Sequence, residues 1–401
     1  MKRIRKTSLE QFIQHESSAG ILLFCSSLLA LLLANSPAYG LYELLIDTPL
    51  AIQIGTFILS KPLLLWVNDG MMAVFFMLIG LELKRKYLEG ELSNTKKVLL
   101  PAFGAFGGLI VPVMIYIFFN INDPVAIKGW GIPAATDIAF VLAVVSLLGS
   151  RVPASLKEFL TSLAIFDDIA LIIIIAFFYT SKISLIAMCI ALACLIVLSF
   201  FNWCGISETS VYVVIGIIMW VAVLKSGVHA TLAGFLFAMF IPMKSTKDRR
   251  ISPLKAMEHD LHAVVAFVIL PVFTFCNFGI NFHGLPIAHF FHNIPLGIAL
   301  GLFLGKQVGV FLFCWLGIKL KLAVPPKGLT WPVLYGAAVL TGIGFSISLF
   351  KGSLAFEETG VNLMYDERLG ILLGSIASGI LGFCILYKVL GNRVGEIHQE
   401  Q

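Results

Sequence analysis

Charge is scarce in this chain of 401 residues: Asp, Glu, Lys and Arg together make up 13%, about half the roughly 25% usual for soluble domains. With a hydrophobic fraction of 59% and a mean hydropathy of +0.95, that scarcity argues against a soluble domain, whose core would not need so much apolar surface. The seven cysteines (Cys25, Cys189, Cys194, Cys204, Cys276, Cys314 and Cys384) form no Cys-x-x-Cys pair, and most stand inside apolar runs. They read as small core residues, not as a disulfide frame or a metal site. A phosphate-binding loop is missing too, because Gly305-Lys306 is followed by Gln307 and position 300 is leucine. The net charge of +5 is spread in short clusters between apolar runs, which argues against a nucleic-acid partner.

What is present is a succession of long apolar runs from Gly20 to Leu390 with short polar gaps. A bilayer core takes about 20 apolar residues per helix. The runs predict twelve spans, near 18–36, 63–83, 98–119, 131–148, 156–179, 184–201, 211–225, 228–242, 261–279, 294–316, 333–350 and 370–390. The chain therefore reads as an all-α integral membrane protein, one membrane domain over 1–401. The stretch 38–60 is mixed, with Pro49 and alternating Ile52-Gln53-Ile54-Gly55, and suits a small extramembrane β-hairpin. The basic start, Lys2 to Lys6, followed by a polar stretch, suits a cytoplasmic lead-in to a retained first helix better than a signal peptide.

Of 28 Lys and Arg residues, the loops that alternate to the outside hold only Lys61, Lys128, Lys182, Lys225, Lys351 and Arg368, and Lys306 falls within a span. The rest lie on the side of the N-terminus, which puts both termini in the cytoplasm. The loop 202–210 has neither Lys nor Arg, so its side follows from parity alone.

Charges near the bilayer centre cost several kcal/mol, and residues that bear the cost are the first candidates for function. Asp167 and Asp168 lie in the span 156–179, roughly 17 Å from either end. Neighbours on a helix point about 100° apart, so the two carboxylates face different surroundings. Their plain structural role would be a pair neutralised by a buried lysine. Asp137 follows Thr136 in a span that Pro133 and small residues predict to be broken. The plain alternative there is a Thr-Asp cap on a shorter helix. Lys306 sits mid-span and must be neutral or paired with an acid. Gly297, Gly301, Gly305 and Gly309 recur every fourth residue around it, a stripe that lets another backbone come close.

A second interrupted span runs from Leu340 to Ser348 through Gly342 and Gly344. Paired interrupted spans point to an inverted repeat with the site between its halves, here near 98–179 and 294–390. Glu82 and Arg85 at the end of span two, and Glu258, His259 and His262 at the start of span nine, fall on the cytoplasmic side. Histidine titrates near neutrality, so this cluster suits either a pH response or a solvated interface. His229 suits a helix junction.

At this point AATDIAF (134–140), AIFDDIALIIII (164–175), VLKSGVHATLAG (223–234), GLELKR (80–85), GIGFSIS (342–348) and the midhelical Lys306 together resemble the NhaA-type sodium/proton antiporters of bacteria. The resemblance runs in order over nearly the whole chain. It implies twelve helices with two crossed broken ones, the bacterial inner membrane, and a homodimer with the hairpin near 45–58 at its interface. The part near 18–83 and 184–279 would then carry dimerisation. It implies Asp168 and Asp137, with Thr136, as ligands of sodium or lithium, and Asp167 as the acid paired with Lys306. It assigns pH response to Glu82, Arg85, Glu258, His259 and His262, with His229 as a modulator. Two positions depart: Lys86 stands where the family often has Glu, and Gln307 where Pro commonly follows the lysine.

The resemblance implies no cofactor and no enzymatic step. A protonated carboxylate cannot hold sodium, so the two ions compete, and a site that crosses only when loaded exchanges them. Two other readings remain open here. A sodium-coupled symporter of a small organic solute would use the same acids. An intramembrane aspartyl protease usually carries Gly-x-Gly-Asp, but Phe345 follows Gly342-Ile343-Gly344.

Overall fold

The computed structural model describes residues 16–55, 57–89, 95–179, 184–245, 252–356 and 364–399. The basic lead-in and the loop residues Lys182, Lys247, Arg249 and Arg250 lie outside the described residues. Among those described, nine helices are long and apolar enough to span a bilayer, two bent helix pairs pass the same test, and Thr231–Phe240 is a shorter apolar helix. Each of the twelve predicted spans coincides with one of these.

The chain divides into two compact units. The first comprises residues 1–35, 94–167 and 278–401, and the second comprises 36–93 and 168–277. The chain passes from one to the other within the helix Ala154–Phe178. The helix Glu16–Ala34 belongs to the first unit. There Gly20 lies so close to Ala143 that a methyl group on it would collide.

In the first unit the glycine stripe lies against Val98–Asn120. Gly309 meets the Gly107 carbonyl, a Cβ on Gly305 would stand 2.7 Å from Pro112, and Gly301 faces Pro112 and Pro133. The helix carrying the stripe is regular except at Gly301–Gly305, one turn of π-helix, in which a single extra residue widens the winding. Similar turns occur at Val67–Met71 and Val265–Ile269. Hydropathy does not reveal them, because an inserted residue leaves the apolar run unchanged.

Both predicted breaks are present. The fourth span opens as a 3-10 helix, Ala126–Ala134, loses helical bonding over 135–137, and resumes as Ile138–Ser146. Pro133 lacks the N–H a continuous helix would need. In the eleventh span, Trp331–Leu340 and Phe345–Phe356 are bent by 43° about 341–344.

Two lysine and arginine placements change. Lys351, expected in an outside loop, lies in Phe345–Phe356 and is 2% exposed, and Arg368 is buried on Met364–Gln399 beside buried Glu367. The helices continue past the end of the apolar runs because these charges turn inward. The Arg368 guanidinium lies 3.5 Å from the Gly279 carbonyl, and the Glu367 carboxyl lies over Gly352.

In the second unit, the mixed stretch begins with an unexpected helix, Tyr39–Asp47. The predicted hairpin follows, β1 (Pro49–Ile54) antiparallel to β2 (Phe57–Pro62) with Pro49 opposite Pro62. Gly55 takes φ +60° at the turn, where glycine pays no steric cost. A core of Leu81, Tyr212, Met219, Phe237 and Leu254 binds the longer helices of this unit.

Candidate functional site

The two breaks bond to each other. The Asp137 amide donates to the Ile343 carbonyl at 2.7 Å, and Ser348 Oγ donates to the Ile132 carbonyl at 3.0 Å. Asp137 caps Ile138–Ser146 by accepting from the Phe140 amide at 3.2 Å, as the plain structural reading expected. Its other oxygen accepts from the Ser346 amide at 2.9 Å and contacts the Ser346 hydroxyl. One carboxylate thus serves the starts of two helices. Gly344 permits the approach, since a Cβ there would stand 3.2 Å from the Ala135 carbonyl.

Beside this junction lies a buried triad. Lys306 Nζ donates to Asp167 Oδ2 at 2.9 Å. Thr136 Oγ1 stands 2.7 Å from the same oxygen and 3.1 Å from the Thr341 carbonyl. Its single hydroxyl proton can serve only one of those acceptors fully. Asp167 Oδ1 is buried and has no hydrogen-bond partner among the described residues, leaving an oxygen open to a proton or a cation. Lys306 is fully buried and its Nζ lies above Gly108. Asp168 is the next residue of the same helix, half-buried, and belongs to the second unit.

Carboxylate, hydroxyl and carbonyl oxygens are what a hard cation such as sodium prefers. The family model for Na+/H+ antiporter 1 matches residues 10–386. This chain belongs to that family. Among similar proteins, the Na(+)/H(+) antiporter NhaA 3 of Saccharophagus degradans is 56% identical over 390 residues, covering 96% of this chain and 98% of that protein. The NhaA of Desulfotalea psychrophila is 54% identical over 385 residues, covering 96% and 97%. That of Yersinia pestis is 47% identical with the same coverage. The chain is therefore a multi-pass membrane protein of a bacterial antiporter family, and members of this family are secondary transporters, not enzymes.

The residues that the family resemblance assigned to pH response do not form one cluster. Arg85 Nε lies 2.8 Å and 3.0 Å from the two carboxylate oxygens of Glu258. Glu82 pairs with Lys86 at 2.7 Å, so the lysine at the departing position neutralises an acid of the expected set. Glu89, missed by the sequence reading, contacts Lys255 and lies 3.4 Å from Arg85. The Lys255 ammonium beside it holds its carboxyl below the ordinary carboxylate range. His259 and His262 are exposed, with His259 3.5 Å from Asp260.

His229 lies elsewhere. Its Nε2 is 3.8 Å from Asp69 and its Nδ1 is 2.8 Å from Thr231 Oγ1. Asp69 in turn pairs with Lys61 of β2 at 2.5 Å. Asp69 and Glu82 are thirteen positions apart on the helix Leu63–Leu88, about 20 Å along its axis. The hairpin end and the ion-pair end are therefore separate sites. The missed partners, Asp69 and Lys61, had signals: an acid early in a span and a lone lysine in an outside loop.

Proposed function

We propose that this chain is an electrogenic antiporter of the bacterial inner membrane that extrudes cytoplasmic sodium, or lithium, in exchange for external protons. Membership of the Na+/H+ antiporter family supports exchange of sodium for protons, and the relatives' names give no support to a solute symporter. The observation that carries the residue-level reading is the junction of the two breaks. It combines the Asp137 carboxylate, the Thr136 hydroxyl, the open oxygen of Asp167 and a buried lysine.

Asp137, Asp168 and Thr136 are the sodium ligands in this reading. Asp167 exchanges its partner between Lys306 and the transported ions. A proton on a ligand carboxylate removes the charge that holds sodium, and sodium displaces the proton, so each turn carries one or the other. Unloaded carboxylates resist crossing. Alternating access of the loaded site then couples the two fluxes without ATP.

The family resemblance implies two protons inward for each sodium outward, and net positive charge then moves inward. Each 100 mV supplies about 2.3 kcal/mol per charge, enough for a roughly fiftyfold sodium gradient without a pH gradient. Both termini face the cytoplasm in this reading. The hairpin β1–β2 serves a homodimer, and Glu82, Arg85, Glu258, His259, His262 and His229 tune the response to pH. No cofactor takes part.

The test uses reconstituted vesicles with an acidic lumen and a pH-reporting dye. Sodium or lithium added outside will alkalinise the lumen, whereas potassium and choline will not. Asp168→Asn will abolish the response. Folded wild-type protein that gives no response from mildly acidic to alkaline external pH rejects the proposal.

A further inference from the structure

Gln307 is 5% exposed and makes two side-chain hydrogen bonds. Its Nε2 donates to the Phe303 carbonyl at 2.7 Å, inside the π turn Gly301–Gly305. Its Oε1 accepts from the Tyr335 hydroxyl at 2.8 Å. Tyr335 belongs to Trp331–Leu340, the first half of the second broken helix. Its ring packs edge-on against Phe311, with centroids 5.4 Å apart, which helps to orient the hydroxyl.

These bonds complete a ring through the site. Lys306 reaches Asp167, whose Oδ2 lies beside Thr136 Oγ1, which lies beside the Thr341 carbonyl at the end of Trp331–Leu340. Six residues back along that helix, about 9 Å, Tyr335 returns to Gln307, the neighbour of Lys306. The lysine helix is thereby joined to its surroundings on two faces about 100° apart. Rotation of that helix, which would draw Lys306 away from Asp167, must also break the bond between Gln307 and Tyr335. The π turn closes with the Lys306 amide donating to the Gly301 carbonyl. Single π turns of this kind recur at functional sites, and the bond from Gln307 to the Phe303 carbonyl fastens this one.

We propose that Gln307 and Tyr335 are positioning residues for ion exchange: they fix the rotation of the lysine helix, and hence the placement of Lys306 on Asp167. Neither touches the transported ion. The proposal rests on the reading of Lys306 and Asp167 as part of the transport site. Without the tether the ligand oxygens are less firmly preorganised for sodium. The cost falls on binding more than on the maximal rate.

The experiment measures the initial rate of lumenal alkalinisation against sodium concentration in vesicles, for wild type, Tyr335→Phe, Gln307→Leu, the double variant and Asp167→Asn. Tyr335→Phe keeps the ring and removes only the hydroxyl. Each single variant will raise the apparent KM for sodium about three- to tenfold, the range expected for one hydrogen bond, with the maximal rate within about twofold of wild type. The double variant will rise no further than Gln307→Leu alone, because that substitution already removes the bond to Tyr335 as well as the one to Phe303. An unchanged KM in Tyr335→Phe, a double effect equal to the product of the single ones, or a loss confined to the maximal rate overturns the proposal. Should Gln307→Leu fail to fold, Tyr335→Phe against wild type decides alone. Wild-type activity of Asp167→Asn in the same assay instead rejects the reading of Lys306 and Asp167 on which the proposal rests, so the two failures are distinguishable.

Discussion

Lys306 is fully buried, and its described partner is Asp167. Removing one member of a buried ion pair leaves the other charge uncompensated, at about 3–5 kcal/mol, whereas replacing both with neutral groups is often close to neutral. Lys306→Leu should therefore lower the melting temperature in detergent by several degrees, and Lys306→Leu with Asp167→Asn should recover most of that loss. A double variant no more stable than the single would show that the pair does not hold this part of the bundle together. The buried pair was legible in the sequence, because a lysine inside a span demands an acid and few were available. The ring through Tyr335 was not. A neutral amide in an apolar run carries no expected partner, and Tyr335 lies 28 positions from Gln307.

Among the elements, the ends of two helices of the second unit are tied by charge. Glu89, just past Leu63–Leu88, meets Lys255 of Pro253–Val264 and Arg85 of its own helix, and Arg85 also holds Glu258. The Glu89 carboxyl titrates below its ordinary value because the Lys255 ammonium favours the charged form. A group whose folded value is depressed stabilises above its unfolded value, near 4.3, and loses that contribution as pH falls through the lower folded one. Glu89→Gln should thus lower the melting temperature slightly at neutral pH and have no effect in acid below that window. An effect that persists unchanged in acid would assign the residue a packing role instead. The breaks were readable in Pro133 and the Gly342–Gly344 segment, whereas the bond from Ser346 to Asp137 spans 209 positions and leaves no local signature. Lys351 and Arg368 were misplaced because a span was ended at its first charge, and burial of that charge is settled only by tertiary packing.

For the molecule as a whole, the proposed exchange of two protons for one sodium makes transport sensitive to membrane potential. In vesicles clamped with potassium and valinomycin, exchange should speed up when the potential favours movement of positive charge in the proton direction, and slow when the polarity is reversed. Equal rates at both polarities would indicate an electroneutral one-for-one exchange. The sequence made the transport class legible through its order of short segments, since expensive intramembrane residues are few and stand out. It did not show that the helix Ala154–Phe178 passes from one compact unit to the other. That partition is a property of contacts distributed over the whole chain.

The cap at Asp137 has an electrical consequence. Each half-helix carries its own dipole, positive at the N-terminus. The Asp137 carboxylate accepts from amides at the beginning of Ile138–Ser146 and at the beginning of Phe345–Phe356, so one negative charge faces two positive poles. Once that carboxylate is protonated, both poles are left uncompensated and repel an approaching cation through the backbone itself. In the proposed reading the proton then does more than occupy a ligand: it removes the charge that offsets two helix poles and makes the site less favourable to a cation.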